Sequence, residues 1–165
     1  MTNTRLPTIN REFEEKVVHV RRVSKKTKGG NQIGFSVLVV VGDKKGRVGV
    51  GLGKAPDVRS AIKKAMNYAK KHLFTVPLKK GTIPHQVRIK LGAAKILLKP
   101  APPGTGIRVS DTIRSVVEAA GIKNIVGKMM GTRNKISNVY ATMKALKKLK
   151  SEARNSKLET ISKSK

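Results

Sequence analysis

Residues Phe35–Leu52 read FSVLVVVGDKKGRVGVGL, and this stretch decides the fold. Phe35–Val41 is a β-branched apolar run with strong strand character. Gly42–Gly46 (GDKKG) supplies the residues of a tight hairpin turn, and Arg47–Leu52 resumes an extended pattern. Working outward, Val17–Ser24 sets Val18, Val20 and Val23 in a β-branched context and reads as an earlier strand. Lys25–Gln32 (KKTKGGNQ) is a turn loaded with cations, so these strands should pair antiparallel around a basic loop and give a three-stranded meander. Beyond Asp57 the period changes. Val58, Ala61, Ile62, Ala65, Met66, Ala69 and Leu73 recur at steps of three and four, the stripe of an amphipathic helix, with Lys63, Lys64, Lys70 and Lys71 on its other faces.

Val76–Gly81 (VPLKKG) has the composition of a linker and marks the boundary between two units, 12–77 and 83–150. In the second unit, His85–Lys90 and Ala94–Leu98 read as strands around Gly92, followed by the proline-rich loop Lys99–Ile107 (KPAPPGTGI). A helix should start at Ser110 or Asp111, with Ile113, Val116, Val117 and Ala120 inward and Gly121 in the left-handed position at its end. Ile122–Met130 then returns as a strand. Asn134 should cap a last helix, with Ile136, Val139, Tyr140, Met143, Leu146 and Leu149 as its apolar stripe. The extensions 1–11 and 151–165 are expected to be flexible. The class is α+β: two small two-layer α/β domains, each near the lower size limit for a core that stands alone.

The 165 residues carry 37 Lys and Arg against 9 Asp and Glu, a formal charge of +28. Like charge of that density repels itself unless a polyanion is nearby. The interval between Asp57 and Asp111 has no carboxylate but many cations, so the basic surface runs across folded elements and points to nucleic acid rather than to a lipid surface. No apolar run approaches the roughly 20 residues of a membrane span, and the N-terminus lacks the apolar core of a signal peptide. Cysteine is absent, so there is neither a disulfide framework nor a thiolate metal site, and the expected compartment is the cytoplasm.

Catalytic chemistry finds little support. His19, His72 and His85 stand alone, without a second ligand at helical or strand spacing, and paired carboxylates are missing from the middle of the chain. Gly49, Gly51 and Gly53 before Lys54 invite a phosphate-loop reading. The spacing fails, however, because Val48 sits where the first glycine belongs and Ala55 replaces the magnesium-binding hydroxyl. These glycines leave one sheet face bare, either for a nucleic-acid backbone or for the neighbouring helix. Pro100–Gly106 (PAPPGTG) resembles the phosphate loop of galactokinase-type small-molecule kinases, but Ile107 and Arg108 follow where those enzymes place hydroxyl residues. With Phe13, Phe35, Phe74, Tyr68 and Tyr140 as the aromatics, an exposed base-stacking platform is not expected. Arg21, Arg22, Lys25, Lys26 and Lys28 should act through phosphate contacts, while Gly29 and Gly30 let the loop tip bend into a groove.

Arg22-Val-Ser-Lys with Lys28-Gly-Gly, Val40-Val-Gly-Asp, Gly46-Arg-Val-Gly with Gly51-Leu-Gly-Lys-Ala, Ala61-Ile-Lys-Lys-Ala-Met, Gly104-Thr-Gly-Ile and Gly131-Thr-Arg-Asn together resemble the bacterial small-subunit ribosomal protein five family over about residues 12–150. The resemblance implies a first domain like the double-stranded-RNA-binding fold and a second with the left-handed β-α-β crossover of those kinases. It implies a non-enzymatic constituent of the ribosome, without cofactor, metal or small-molecule substrate. Its partners would be small-subunit ribosomal RNA at the head–body junction near the spectinomycin site, messenger RNA at the channel entrance, and ribosomal proteins four and eight. Ser24, Lys44, Lys45, Arg47 and Lys54 then join the loop cations as RNA-binding candidates, as do Lys128, Thr132, Arg133 and Asn134. Gly104, Thr105, Gly106 and Arg114 inherit the contact with ribosomal protein four, an interface tied to decoding accuracy. The alternatives are a free-standing double-stranded-RNA-binding or RNA-chaperone module and a small-molecule kinase.

Overall fold

The computed structural model describes residues 13–162, with side chains through Leu149. The chain runs β1 (Glu14–Thr27), β2 (Gly30–Gly42), β3 (Arg47–Ala55), α1 (Val58–Lys71), β4 (Phe74–Thr75), β5 (Val87–Leu91), β6 (Ala94–Pro100), β7 (Ile107–Arg108), α2 (Asp111–Ala120), β8 (Ile125–Met130) and α3 (Lys135–Ser162). Two sheets form, in the orders β1-β2-β3-β4 and β5-β6-β8-β7. The first is antiparallel throughout; in the second, β7 runs parallel to β8 with α2 between them. The architecture is the α+β pair of small α/β units read from the sequence.

The differences lie in short or continued elements. The meander has a fourth strand, β4, pairing with only Arg47 and Val48, and β7 forms at the end of the proline-rich loop. Two residues are too few to carry a period. Most of the expected basic loop at Lys25–Gln32 is itself paired, from Lys25 opposite Gln32 to Thr27 opposite Gly30. The strand expected from Ile122 starts at Ile125, because the amides of Lys123 and Asn124 donate instead to the carbonyl of Gly81. The last helix continues as backbone to Ser162, past its expected end near Ser151. Residues 1–12 and 163–165, which take in the whole of the extension 1–11 and the end of the extension 151–165, lie outside the described residues.

Packing follows from the alternation along β2. Val37, Val39 and Val41 face α1 and form one core with Ala55, Ala61, Ala65 and Ala69. Leu38 and Val40 face the other way and join Val48 and Val50 in a second core. That second core continues without a break through Val87, Ile96, Leu98, Ile113, Val116, Ile125, Val139 and Leu146 of the other unit. The first sheet is therefore sandwiched, and its two faces, both covered, explain why FSVLVVV is continuously apolar rather than alternating. The Val76–Gly81 segment is pinned as it crosses between the sheets. Val76 and Ile83 are buried, and the amide of Val76 donates to Gly46 at 2.8 Å.

β3 shows what the alternate glycines do. A Cβ on Gly49, Gly51 or Gly53 would come within 2.4, 2.0 or 2.2 Å of the carbonyl oxygens of Ala69, Ala65 and Ala61 respectively. The helix backbone lies directly on the bare strand, so the neighbouring helix, and not a phosphate, occupies that face. The α1 stripe is made of alanines for the same reason: any larger side chain would lift the helix off the sheet. Asp57 caps the helix by accepting from the amides of Arg59 and Ser60.

Gly51→Ala forces a methyl into a backbone carbonyl and is expected to lower unfolding free energy by about 2–3 kcal/mol, whereas Gly29→Ala, where a Cβ meets open space, should change it by less than about 0.5 kcal/mol. Urea denaturation of the two variants checks this, and equal midpoints would contradict the packing described.

Candidate nucleic-acid interface

β1 and β2 outrun the sheet. Pairing of β2 with β3 stops at Phe35 opposite Ala55, but β1 and β2 stay paired from Val23 opposite Gly34 to the Thr27–Gly30 turn. The result is a two-stranded ribbon with both faces open to solvent. Ser24, Lys25, Lys26, Lys28, Gly29 and Gly30 are all exposed on it, and Arg21 and Arg22 are exposed at its base. At the tip the Thr27 hydroxyl donates to the carbonyl of Gly30 at 2.9 Å. Gly30 has φ +129°, a conformation that requires glycine. Gly29 has no positive φ and nothing within 4 Å of a built Cβ, so its lack of a side chain answers no need of the isolated fold. Lys54 stands beside the ribbon base in a depression lined also by Ser24, Lys25, Gln32, Phe35 and Lys64.

The other candidates are held elsewhere. Lys44, Lys45 and Arg47 belong to the β2–β3 turn at the opposite end of β2, whose 13 residues span about 40 Å. This turn is engaged inside the protein. Lys44 donates its amide to the carbonyl of Ala119 at 3.1 Å and pairs with Glu14 at 2.8 Å. Arg47 binds Asp43 at 2.7 Å and lies over the Phe13 ring. Asp43 Oδ1 also accepts from the amides of Lys45 and Arg47. Burial pushes the Asp43 carboxyl up, but the hydrogen bonds from Arg47 and the two amides, with the Arg47 charge, outweigh it and hold it below the ordinary value of 3.8. The turn docks on the end of α2, where Gly121 has φ +81° and its Cα sits so close to Lys44 that a Cβ would come within 2.0 Å of the Lys44 carbonyl.

A third group surrounds the start of α3. Asn134 accepts from the amide of Ile136 and Thr132 Oγ1 from the amide of Asn134. Asn138, fully buried, donates to the carbonyl of Thr132. Thr132 and Asn134 thus shape the turn that presents Arg133, while Lys128 projects from β8. Gly104, Thr105 and Gly106 cluster ahead of α2, and Arg114, one turn into that helix, donates to the carbonyl of Ile107. The amide of Gly106 is taken by Asn124 Oδ1, so the kinase-like loop does not present all of its amides to a phosphate.

Residues 13–77 match the family described as Ribosomal protein S5, N-terminal domain, and residues 89–159 match Ribosomal protein S5, C-terminal domain. The chain belongs to the ribosomal protein S5 family. Its relatives include the small ribosomal subunit protein uS5 of Thermus thermophilus, 48% identical over 86% of this chain and 88% of the relative. The uS5 of Thermotoga maritima is 50% identical over 92% and 85%, and that of Mycoplasmopsis agalactiae is 52% identical over 89% and 64%.

The sequence reading set Lys25, Lys26 and Lys28 in a basic loop, which the fold makes a paired ribbon, and named with them Lys44, Lys45 and Arg47, which the fold places at the far end of β2. It also passed over Arg88, Lys90, Lys95 and Lys99. Their alternation with Val87, Ile89, Ala94, Ile96 and Leu98 in VRIKL and AKILLK was the available signal of a cationic sheet face.

Because the folded Asp43 pKa is depressed, its stabilising effect is present above the unfolded value and lost as pH falls through the folded one. Asp43→Asn is expected to cost about 1–2 kcal/mol at pH 7, with the gap to wild type narrowing as pH falls below the ordinary carboxylate range. Parallel denaturation series across pH check this, and a gap independent of pH would contradict the assigned role.

Proposed function

We propose that this chain is a structural constituent of the small ribosomal subunit, cytoplasmic with the ribosome, that binds ribosomal RNA at the head–body junction. The observation that carries this reading is the ribbon: a two-stranded, carboxylate-free projection whose cations stand clear of the folded body. A rigid basic ribbon enters a groove and neutralises phosphates without ordering a flexible arm on binding. Phosphate contacts from Arg21, Arg22, Ser24, Lys25, Lys26 and Lys28 fix orientation, and the small tip at Gly29 and Gly30 admits close approach to the RNA backbone. Lys54 extends the same surface at the ribbon base.

In this reading Lys128, Thr132, Arg133 and Asn134 form a second RNA contact at the start of α3. Lys44, Lys45 and Arg47 contribute mainly through their exposed stems, since their turn is already bound to α2. Gly104, Thr105, Gly106 and Arg114 face ribosomal protein four and influence decoding accuracy, ribosomal protein eight is a further neighbour, and Arg21 and Arg22 lie by the messenger RNA channel entrance. The buried surface shared by the two units supports a full-length ribosomal part over a detachable N-terminal module.

In cell lysate the tagged chain is expected to sediment with small subunits through a sucrose gradient at moderate and at high salt. Gly29→Val, which the isolated fold accommodates, should keep the wild-type melting temperature yet impair incorporation or alter spectinomycin sensitivity, while Lys79→Ala should do neither. Free sedimentation at both salts, or equal effects of the two variants, would overturn the assignment.

A further inference from the structure

The second sheet has a helical face and an open face. Val87, Ala94, Ile96, Leu98 and Ile125 point inward to the core that α2 and α3 cover. The intervening residues point outward, and the strand register aligns them in three rows. Arg88 lies opposite Leu97 and Leu97 opposite Lys128; Lys90 lies opposite Lys95 and Lys95 opposite Met130; Lys99 and Arg108 both lie opposite Val126. All of these cations are exposed. The four strands contain no Asp or Glu.

Among the described residues Glu14, Glu15, Asp43 and Glu118 pair with Lys44, Lys70, Arg47 and Lys16, and none of these ion pairs involves the open face. Lys90 directly opposite Lys95 is a like-charge cross-strand pair, which is unfavourable in an isolated sheet. An anionic partner removes that penalty.

We infer that the outer face of β5-β6-β8-β7 is an RNA-docking surface, separate from the ribbon, that holds the phosphate backbone of a second ribosomal RNA segment. RNA is favoured over an acidic protein by composition. Lys is depleted from protein–protein interfaces, which draw on aromatic residues and Arg, whereas four of the six cations on this face are Lys and it carries no aromatic. Leu97, Val126 and Met130 between the cations offer apolar ground for sugar edges but nothing on which a base could stack, so recognition follows shape and backbone. Arg88 and Lys90 stand about 7 Å apart along β5, Lys95 and Lys99 about 13 Å apart along β6 on either side of Leu97, and adjacent strands about 5 Å apart, giving a broad, flat array suited to one side of a helix.

This inference rests on the ribosomal reading above, and the experiment separates the two. Full-length wild type, a face variant (Arg88→Gln, Lys90→Gln, Lys95→Gln, Lys99→Gln) and a ribbon variant (Lys25→Gln, Lys26→Gln, Lys28→Gln) are titrated with purified small-subunit ribosomal RNA over a range of salt. Each lost phosphate contact should reduce the slope of log affinity against log salt by about 0.7–0.9. The face variant is expected to lose at least two such steps, additively with the ribbon variant, at a melting temperature no lower than that of wild type, since it relieves the Lys90–Lys95 repulsion. A photocrosslinker at Leu97 in assembled subunits is expected to give an RNA adduct. A wild-type slope in the face variant, or a protein adduct at Leu97, overturns this inference alone; absence of RNA binding by wild type overturns it together with the ribosomal reading.

Discussion

β2 carries apolar side chains on both of its faces, Val37, Val39 and Val41 on one and Leu38 and Val40 on the other, so its sheet must be covered twice. α1 alone covers one face. The other is closed by the second unit, which joins the two halves through a common core and resolves the size problem each would meet alone. Neither half can be removed without exposing a row of valines to water, at a cost of roughly 1.5–3 kcal/mol for each large side chain uncovered.

The close approaches that complete this sandwich are made by backbone. Gly49, Gly51 and Gly53 let α1 lie on β3, and Gly42 and Gly121 let the β2–β3 turn meet the end of α2. One end of the first sheet is thereby locked to the second unit through Lys44 to Ala119, in a turn that Asp43 holds in shape by accepting from the amides of Lys45 and Arg47. The other end is free, because β3 stops at Ala55 while β1 and β2 continue. The ribbon is thus anchored at its base in a doubly covered sheet and carries its cations beyond the folded body.

Electrostatics complements this geometry. With a net charge of +28, the chain places its few described acids where they stitch elements together. Glu15 ties β1 to α1 through Lys70, and Glu118 ties α2 to β1 through Lys16. Such exposed pairs each contribute little to stability. Their larger consequence is spatial: the Lys16–Glu118 and Lys44–Glu14 pairs neutralise charge beside the junction of the two units, whereas none of the ion pairs among the described residues involves the cations of the ribbon or of the outer face of the second sheet. The S5 family membership and this segregation agree in pointing to a polyanionic surrounding.

The sequence by itself determined the strands, helices and caps whose signals are local: the β-branched runs, the alanine stripe of α1, Gly121 in its left-handed position and Asn134 at the start of α3. It also determined that the partner is acidic, since charge is additive and needs no fold to be counted. It did not determine β4 or β7, which exist only because a neighbouring strand accepts two residues. Only the tertiary structure decided between helix and phosphate as the occupant of the β3 glycine face, because a bare strand is equally open to either until α1 is laid on it. It likewise separated the turn cations Lys44, Lys45 and Arg47 from those of the ribbon and gathered Arg88, Lys90, Lys95, Lys99, Arg108 and Lys128 onto one face. Distances between residues far apart along the chain are set by register and packing, which no local pattern encodes.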